Sequence, residues 1–271
     1  MRRRFPPLLL WLTLAGGLVA HPEIEDALRR LNARIAATPG DPELFLERAA
    51  LYARHEDWIN AEANLSMAAE LNPRHPAVAR ARGALALATG QPGEAVRHLN
   101  AALALVPDDP AARLLRARAH ARLGDRPAAA RDYAAALAGL DRPSPEFFLE
   151  RAAVLDPPEA LRSLDDAAAR LGDTPSLQEQ AAALEEKLGC VEAAAARYTR
   201  LARQSERPEL WLIRRGDLLV RAYRPVEAAV AYREALQAVA ALPDWLRESP
   251  ETVSLISRLQ ALLTRLPASP P

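Results

Sequence analysis

The sequence predicts an all-α protein built as a solenoid of short, repeated helices, and three observations carry that prediction. The chain has 271 residues, of which 59 are Ala and only 5% are aromatic. Ala loses least on helix formation, whereas strands draw on the β-branched and aromatic residues that are scarce here. The same chain holds 23 Pro. Each would cost about 3 kcal/mol inside a helix, so the helices must be short and the prolines must lie between them. Finally, Ala27, Ala61, Ala95 and Ala129 stand 34 residues apart, and after one step of 31 the series resumes as Ala160, Ala194 and Ala228. A fixed period of that length is the mark of a stacked-repeat architecture.

The remaining composition narrows the class. Zero formal net charge with 26% charged residues is not a disordered composition. Cys190 is the only cysteine, so a disulfide scaffold is excluded.

Taken in chain order, residues 1–20 read as a secretory signal peptide. Arg2, Arg3 and Arg4 are followed by a short apolar run through Leu8–Leu12 and a small-residue exit at Ala15, Gly16, Gly17 and Ala20. The run is too short to span a bilayer, which needs about 20 residues. Cleavage is expected after Ala20, with Gly17 as the rival position and a retained N-terminal anchor as the alternative. Removing residues 1–20 leaves 32 basic against 35 acidic residues. That balance and the export signal both argue against a nucleic-acid partner. No later segment is apolar enough to span a membrane.

Residues 21–40 predict a single helix carrying Ala27, Leu31 and Ile35 and ending near Pro39, half of one repeat. Beyond it, a large residue follows each period alanine by four: Leu65, Leu99, Tyr133, Leu164, Tyr198 and Tyr232. A small residue precedes the alanine by twelve: Ala49, Gly83, Ala117, Ala182 and Gly216. The cleanest copy reads Phe45, Ala49, Tyr52, Trp58, Ala61, Leu65, Ala68, Pro73. This pattern resembles the tetratricopeptide repeat (TPR), over roughly residues 22–241. The resemblance implies a right-handed superhelix of antiparallel helix pairs A and B, with repeats at about 41–74, 75–109, 110–143, 144–174, 175–208 and 209–241. Small residues suit the points where helices A and B cross, and the large residue of helix B fills the gap to its neighbour. Pro42, Pro76, Pro110, Pro145 and Pro175 then open A helices, and Pro92, Pro127, Pro158 and Pro225 open B helices, where a missing N–H costs nothing.

The fourth repeat departs, because Ala152 and Ala160 are 8 apart where the other repeats have 12. Four residues are about one turn, so its helix A is expected to end near Asp156. The fifth is expected to have a shallow core, with Gln178 and Ala181 at normally larger positions. Residues 242–266 are expected to form a linker and a capping helix with an apolar face of Val253, Ile256, Leu259, Leu263 and Leu266. Residues 267–271 are expected to be a disordered tail.

No motif for catalysis, metal binding or nucleotide binding is present, so no enzyme and no cofactor is expected. Two features suggest an alternative, an accessory metal-binding or redox role. His21 would be the mature N-terminus, able to chelate through its amine and ring, and Cys190 is either a buried inert thiol or an intermolecular disulfide former. Arg48, Arg82, Arg116, Arg151 and Arg215 each precede the small helix A residue. They read either as a ladder for an anionic partner or as internal bridges to polar helix B residues, such as Arg116 to Asp132 and Arg48 to Asn64. The family resemblance implies a non-enzymatic scaffold that holds a peptide or protein segment in a concave groove lined by helix A, in a monomer or weak oligomer. Carried onto this chain, the candidate groove residues are Arg54, Arg80, Leu114, Arg118 and Arg122. Alongside them Leu46, Ala50, Ala84 and Leu87 are expected, with Leu149, Glu179, Ala183, Glu186, Ile213, Asp217 and Arg221 further along. The first half of that groove is apolar with arginines, which would suit a partly apolar, acidic segment. The Lys–Asn carboxylate clamp of some TPRs is not carried over, since Leu46 and Ala50 occupy clamp-like positions.

Overall fold

A computed structural model describes residues 22–172 and 174–266; the expected signal peptide, His21 and the expected C-terminal tail lie outside the described residues. Those residues form fifteen α-helices and no strand. A single helix, α1 (Pro22–Ala37), precedes six pairs. These are α2 (Pro42–Arg54) with α3 (Trp58–Leu71), α4 (Pro76–Ala88) with α5 (Pro92–Leu105), and α6 (Pro110–Arg122) with α7 (Arg126–Ala138). Then follow α8 (Pro145–Val154) with α9 (Pro157–Leu171), α10 (Pro175–Lys187) with α11 (Val191–Gln204), and α12 (Pro208–Arg221) with α13 (Pro225–Ala240). A short α14 (Asp244–Arg247) leads to α15 (Pro250–Arg265). Each pair packs on itself and on the next, which makes the chain an all-α solenoid.

Local chemistry sets the helix ends. Prolines occupy the first positions of nearly every helix from α2 onward. Asp41, Asp57, Asp109 and Asp125 cap α2, α3, α6 and α7 by accepting bonds from amides of the first turn. Except in the shortened fourth repeat, the turn between A and B holds one left-handed residue, supplied by Gly90, Gly124 and Gly189 but also by Glu56 (φ 59°) and Tyr223 (φ 57°). The last two hold a conformation that disfavours a side chain.

The core is a row of small-on-large crossings. From Ala61 to Ala228 every period alanine is buried, and so is every large residue four places on. Gly83 lies so close to Leu99 that a Cβ there would come within 2.5 Å of Leu99 Cγ.

The helix A arginines resolve as internal bridges. Arg48 donates to Asn64 at 2.6 Å and Asn32 at 2.7 Å; Arg116 donates twice to Asp132 at 2.7 Å and to Asn100 at 2.8 Å. Arg82 joins Ser66 and Glu62, and Arg215 joins Thr199 and Glu234. In all four one partner stands 16 residues back, on the preceding helix B, so each guanidinium ties a repeat to its neighbour.

Repeats four and five break that rule in different ways. Helix α8 has 10 residues against 13 in α2, α4, α6 and α10. Ala135 stands 16 before Arg151, so that arginine has no bridge of this type, and its Nε is buried without a partner. In repeat five the polarity is reversed. Arg197, on helix B, donates to Glu185 at 2.8 Å, Gln178 at 2.7 Å and Asp165 at 2.6 Å. Gln178 is therefore a buried member of a polar network, not the sign of a thin core.

At the C-terminal end α15 packs on α13, with Leu259 fully buried beside Tyr232 and Leu212. The face differs from the expected one. Val253 is exposed and Thr252 is buried in its place, its amide bonded to Ser249 Oγ, so the N-terminal cap sets the helix's rotation.

Candidate functional site

Successive A helices approach one another, α2 to α4, α4 to α6 and α8 to α10, while no two successive B helices come as close. The A helices therefore line the inner, concave face. Along most of that face, arginines brace one A helix to the next.

Between α4 and α6, Arg80 donates to Asp109 at 2.5 Å and Arg122 donates to the backbone carbonyl of Leu87. Burial pushes the Asp109 carboxyl up, but the Arg80 hydrogen bond and the Ala112 and Ala111 amides outweigh it and hold the group below the usual carboxylate range. Between α6 and α8, Arg118 grips Glu150 with two bonds of 2.9 Å, and its guanidinium lies 5.6 Å from the Phe147 ring centre. Between α10 and α12, Arg214 joins Glu179 at 2.6 Å and Arg221 joins Glu186 at 2.5 Å.

Tyrosines of helix B reach the same face from behind. The hydroxyls of Tyr133, Tyr198 and Tyr232 donate to Glu150, Glu186 and Asp217 at 3.0, 2.6 and 2.6 Å. Burial first, then the neighbouring carboxylate, pushes each phenol well above its ordinary value. All three stay protonated and act as struts, so none serves as a base. Desolvation, followed by Arg97 and Arg82, lowers the pKa of His98, so that ring is neutral near pH 7.

No such arginine joins α8 to α10 among the described residues, and none joins α2 to α4, where His75 at the cap of α4 instead meets Glu43 of α2 at 2.7 Å. An open hollow of about 340 Å³ lies there, walled by Leu46, Leu65, Leu85 and Trp58 and floored by alanines, among them Ala50, Ala53, Ala81, Ala84 and Ala88. Its one charged lining residue is Arg54, which is exposed and has no hydrogen-bond or ion-pair partner among the described residues. Alanine at so many lining positions is why room remains. Trp58 and Leu85 also line a second hollow of about 480 Å³ at the rim, which includes the exposed Ile59. The apolar surface thus continues from the concave face over the edge.

Of the groove residues read from the sequence, Leu46, Ala50, Arg54 and Ala84 line the hollow, and Arg54 is the candidate arginine without an internal partner among the described residues. Arg80, Arg118 and Arg122 are on the inner face but committed to Asp109, Glu150 and the Leu87 carbonyl. Leu114, Leu87 and Ile213, expected on the groove surface, are core residues instead. Leu114 packs with Ala117 and Tyr133, because its register turns it toward helix B. The acids Glu179 and Glu186 are matched by the arginines of the next repeat and do not form an acidic patch. Trp58, Ala81 and Leu85 were not among the groove residues read from the sequence; the run of small residues at positions 81, 84 and 88, on one helical face, is the signal that marks them.

Cys190 is exposed, not buried, at the cap of α11. Among the described residues no group of three or more His, Cys, Asp or Glu is placed to hold a metal, and no helix is long and apolar enough to cross a membrane. What this hollow of the concave face offers, among the described residues, is shape, apolar surface and the unmatched positive charge of Arg54.

Residues 76–119, covering α4, α5 and most of α6, match the family model described as tetratricopeptide repeat. No curated protein matches in sequence. Solved structures agree along most of the chain. The C-terminal part of a TPR repeat-containing protein from Cytophaga hutchinsonii is 15% identical with a TM-score of 0.65, covering 86% of this chain and 94% of that one. A tetratricopeptide repeat protein from Parabacteroides merdae is 18% identical with a TM-score of 0.53, covering 89% and 93%. YrrB, described as a TPR protein with an unusual peptide-binding site, is 14% identical with a TM-score of 0.52, covering 72% and 97%. At these identities the likeness shows the fold.

Proposed function

We propose that this chain, an all-α tetratricopeptide-repeat solenoid, is a non-enzymatic scaffold that binds a protein or peptide segment on its concave face. The TPR fold suggests a protein-interaction scaffold in general terms. The observation that carries the finer reading is the unbraced hollow between α2 and α4, open, alanine-floored and flanked by the unpaired Arg54. Between α4 and α6, α6 and α8, and α10 and α12 the inner face is held shut by Arg–carboxylate and Arg–carbonyl braces. A partner that suits the hollow places a large apolar side chain against Leu46, Leu85 and Trp58 and an acidic group beside Arg54. Burying one Leu- or Phe-sized side chain contributes about 1.5–3 kcal/mol, and a few such anchors decide most interfaces.

The leader-like opening of the sequence supports a place outside the cytoplasm. Mass spectrometry of the mature protein tests that reading, which predicts a start at His21 and fails if Met1 is retained. The scaffold reading is tested by crosslinked capture from the native extract with the wild-type chain and with Ala84→Glu, which puts a charge on the hollow's floor. Specific partners are expected to disappear with the variant while its circular dichroism is unchanged. An identical capture profile contradicts the assignment.

A further inference from the structure

Among the described residues the solenoid begins with half a repeat, and the structure keeps a place for the other half. Helix α1 holds the register of a B helix, since Ala27 and Leu31 continue the series of Ala61 and Leu65. Ala27 is only half-buried, whereas every later alanine of the series is buried. What it lacks is the A helix that would cross it. In that place, between α1 and α2, lies an open slot of about 480 Å³ lined by Ala27, Arg30, Leu31, Arg34, Ala50 and Arg54, among others.

The register also says what would fill it. The residue equivalent to Arg54 is Arg122 in α6 and Arg221 in α12. Each reaches 35 residues back to the last turn of the preceding A helix, Arg122 to the Leu87 carbonyl and Arg221 to the Glu186 carboxylate. No A helix precedes α2 among the described residues, and Arg54 is unpaired. Of the slot's other charges, Arg34 is spent on Glu47 at 2.5 Å, while Arg30 has no partner among the described residues. Two free guanidiniums thus face the point where a helix C-terminus, with its partial negative charge, would arrive.

We infer that this slot receives an α-helix donated by a protein partner, in the position of the absent A helix. The donated helix is about 13 residues long, carries Ala or Gly where it crosses Leu31, and ends in acidic residues at Arg54 and Arg30. The slot shares Ala50 and Arg54 with the concave hollow but is also walled by α1, through Ala27, Arg30, Leu31 and Arg34, so the inference goes beyond the scaffold reading. The chain's own residues 8–20 stand one period before α2 and carry Ala15 at the crossing position. They are disfavoured by Pro22, which stands 34 before Glu56, a position that is left-handed in every full-length repeat, through Glu56, Gly90, Gly124, Gly189 and Tyr223. Proline cannot adopt that conformation, and Pro22 instead opens α1.

A fitting probe is a synthetic peptide of residues 175–187, the α10 sequence, which has Ala181 and Ala182 at its crossing and ends in Glu185, Glu186 and Lys187. A 13-residue helix is marginal in water, so the peptide is hydrocarbon-stapled on its outward face and fluorescently labelled. Anisotropy with the full-length chain is expected to show saturable micromolar binding. Ala27→Glu or Arg30→Glu in the chain, and Glu186→Lys in the peptide, should each weaken it at least tenfold, with Ala84→Glu leaving it unchanged. Absence of saturable binding to the folded chain, or indifference to Ala27→Glu, overturns the inference and leaves the concave hollow untouched. So does efficient oxidative crosslinking between Ala15→Cys and Leu31→Cys in a Cys190→Ser background, which would show the slot filled from within.

Discussion

Replacing Gly216 by Ala isolates the crossing that holds each repeat together. In an ordinary helix interior this change stabilises by about 0.8–1 kcal/mol, because glycine costs more backbone entropy. Gly216 is not an ordinary position. An added Cβ would lie 2.7 Å from Tyr232 Cδ1 and 2.9 Å from Cζ, with Cε1 closer still. The ring cannot swing aside cheaply. It is almost fully buried, and its hydroxyl is bonded to Asp217 at 2.6 Å. Overpacking of this kind costs roughly 1–3 kcal/mol, which cancels or exceeds the propensity gain, so a net destabilisation of up to about 2 kcal/mol is expected. Urea denaturation followed by circular dichroism measures it, and cooperativity must be checked because repeat arrays can unfold in parts. Gly93→Ala is the control. It lies in α5 with nothing within 4 Å of its added Cβ, and is expected to be neutral or slightly stabilising. If Gly216→Ala raises the urea midpoint as much as an unhindered Gly→Ala change, helix A does not pack on Tyr232 as described.

Three further outcomes follow from the same structure. Tyr223→Gly relieves a side chain held at φ 57° and is expected to stabilise by about 1 kcal/mol in the same urea assay. Arg197→Ala leaves Glu185 and Gln178 buried without their shared donor and is expected to destabilise by about 3–5 kcal/mol, seen as a large fall in urea midpoint. Asp109 has a folded pKa below its unfolded value, so the stability it contributes is complete above the ordinary carboxylate pKa, about 3.9. That stability is lost as pH falls through the depressed folded value. Urea midpoints between pH 5 and pH 2.5 should therefore fall less steeply for Asp109→Asn than for wild type, from a lower starting midpoint.

The repeat architecture was legible because each crossing demands a particular size at a particular spacing. Gly83 with Leu99 and Gly216 with Tyr232, each small residue 16 before its large partner, mark the helix pairs in the sequence itself. Polar partners were legible only where both ends sat in the same register, as with Arg116 and Asp132. Arg197 was missed because the reversal of polarity in repeat five moves the cation from helix A to helix B. The groove was less legible still. Arg118 and Arg122 stand at positions that suit an anionic partner, yet Glu150 and the Leu87 carbonyl lie 32 and 35 residues away, and only the stacking of successive A helices brings them into contact. Leu114 shows the complementary error, since a projected groove position can rotate into the core within one residue of register. Conversely, Arg54 becomes distinctive only by comparison with its braced equivalents.

The central claim is that partners are held in the unbraced hollow between α2 and α4. Site-specific photocrosslinking in the native extract tests it most directly, with a benzophenone side chain placed at Ala84, on the hollow's floor, or at Ala101, on the exposed surface of α5. The hollow predicts a discrete adduct from position 84 that an excess of unlabelled wild-type chain competes away, and none from position 101. Adducts of equal yield from both positions, or from position 101 alone, would contradict it.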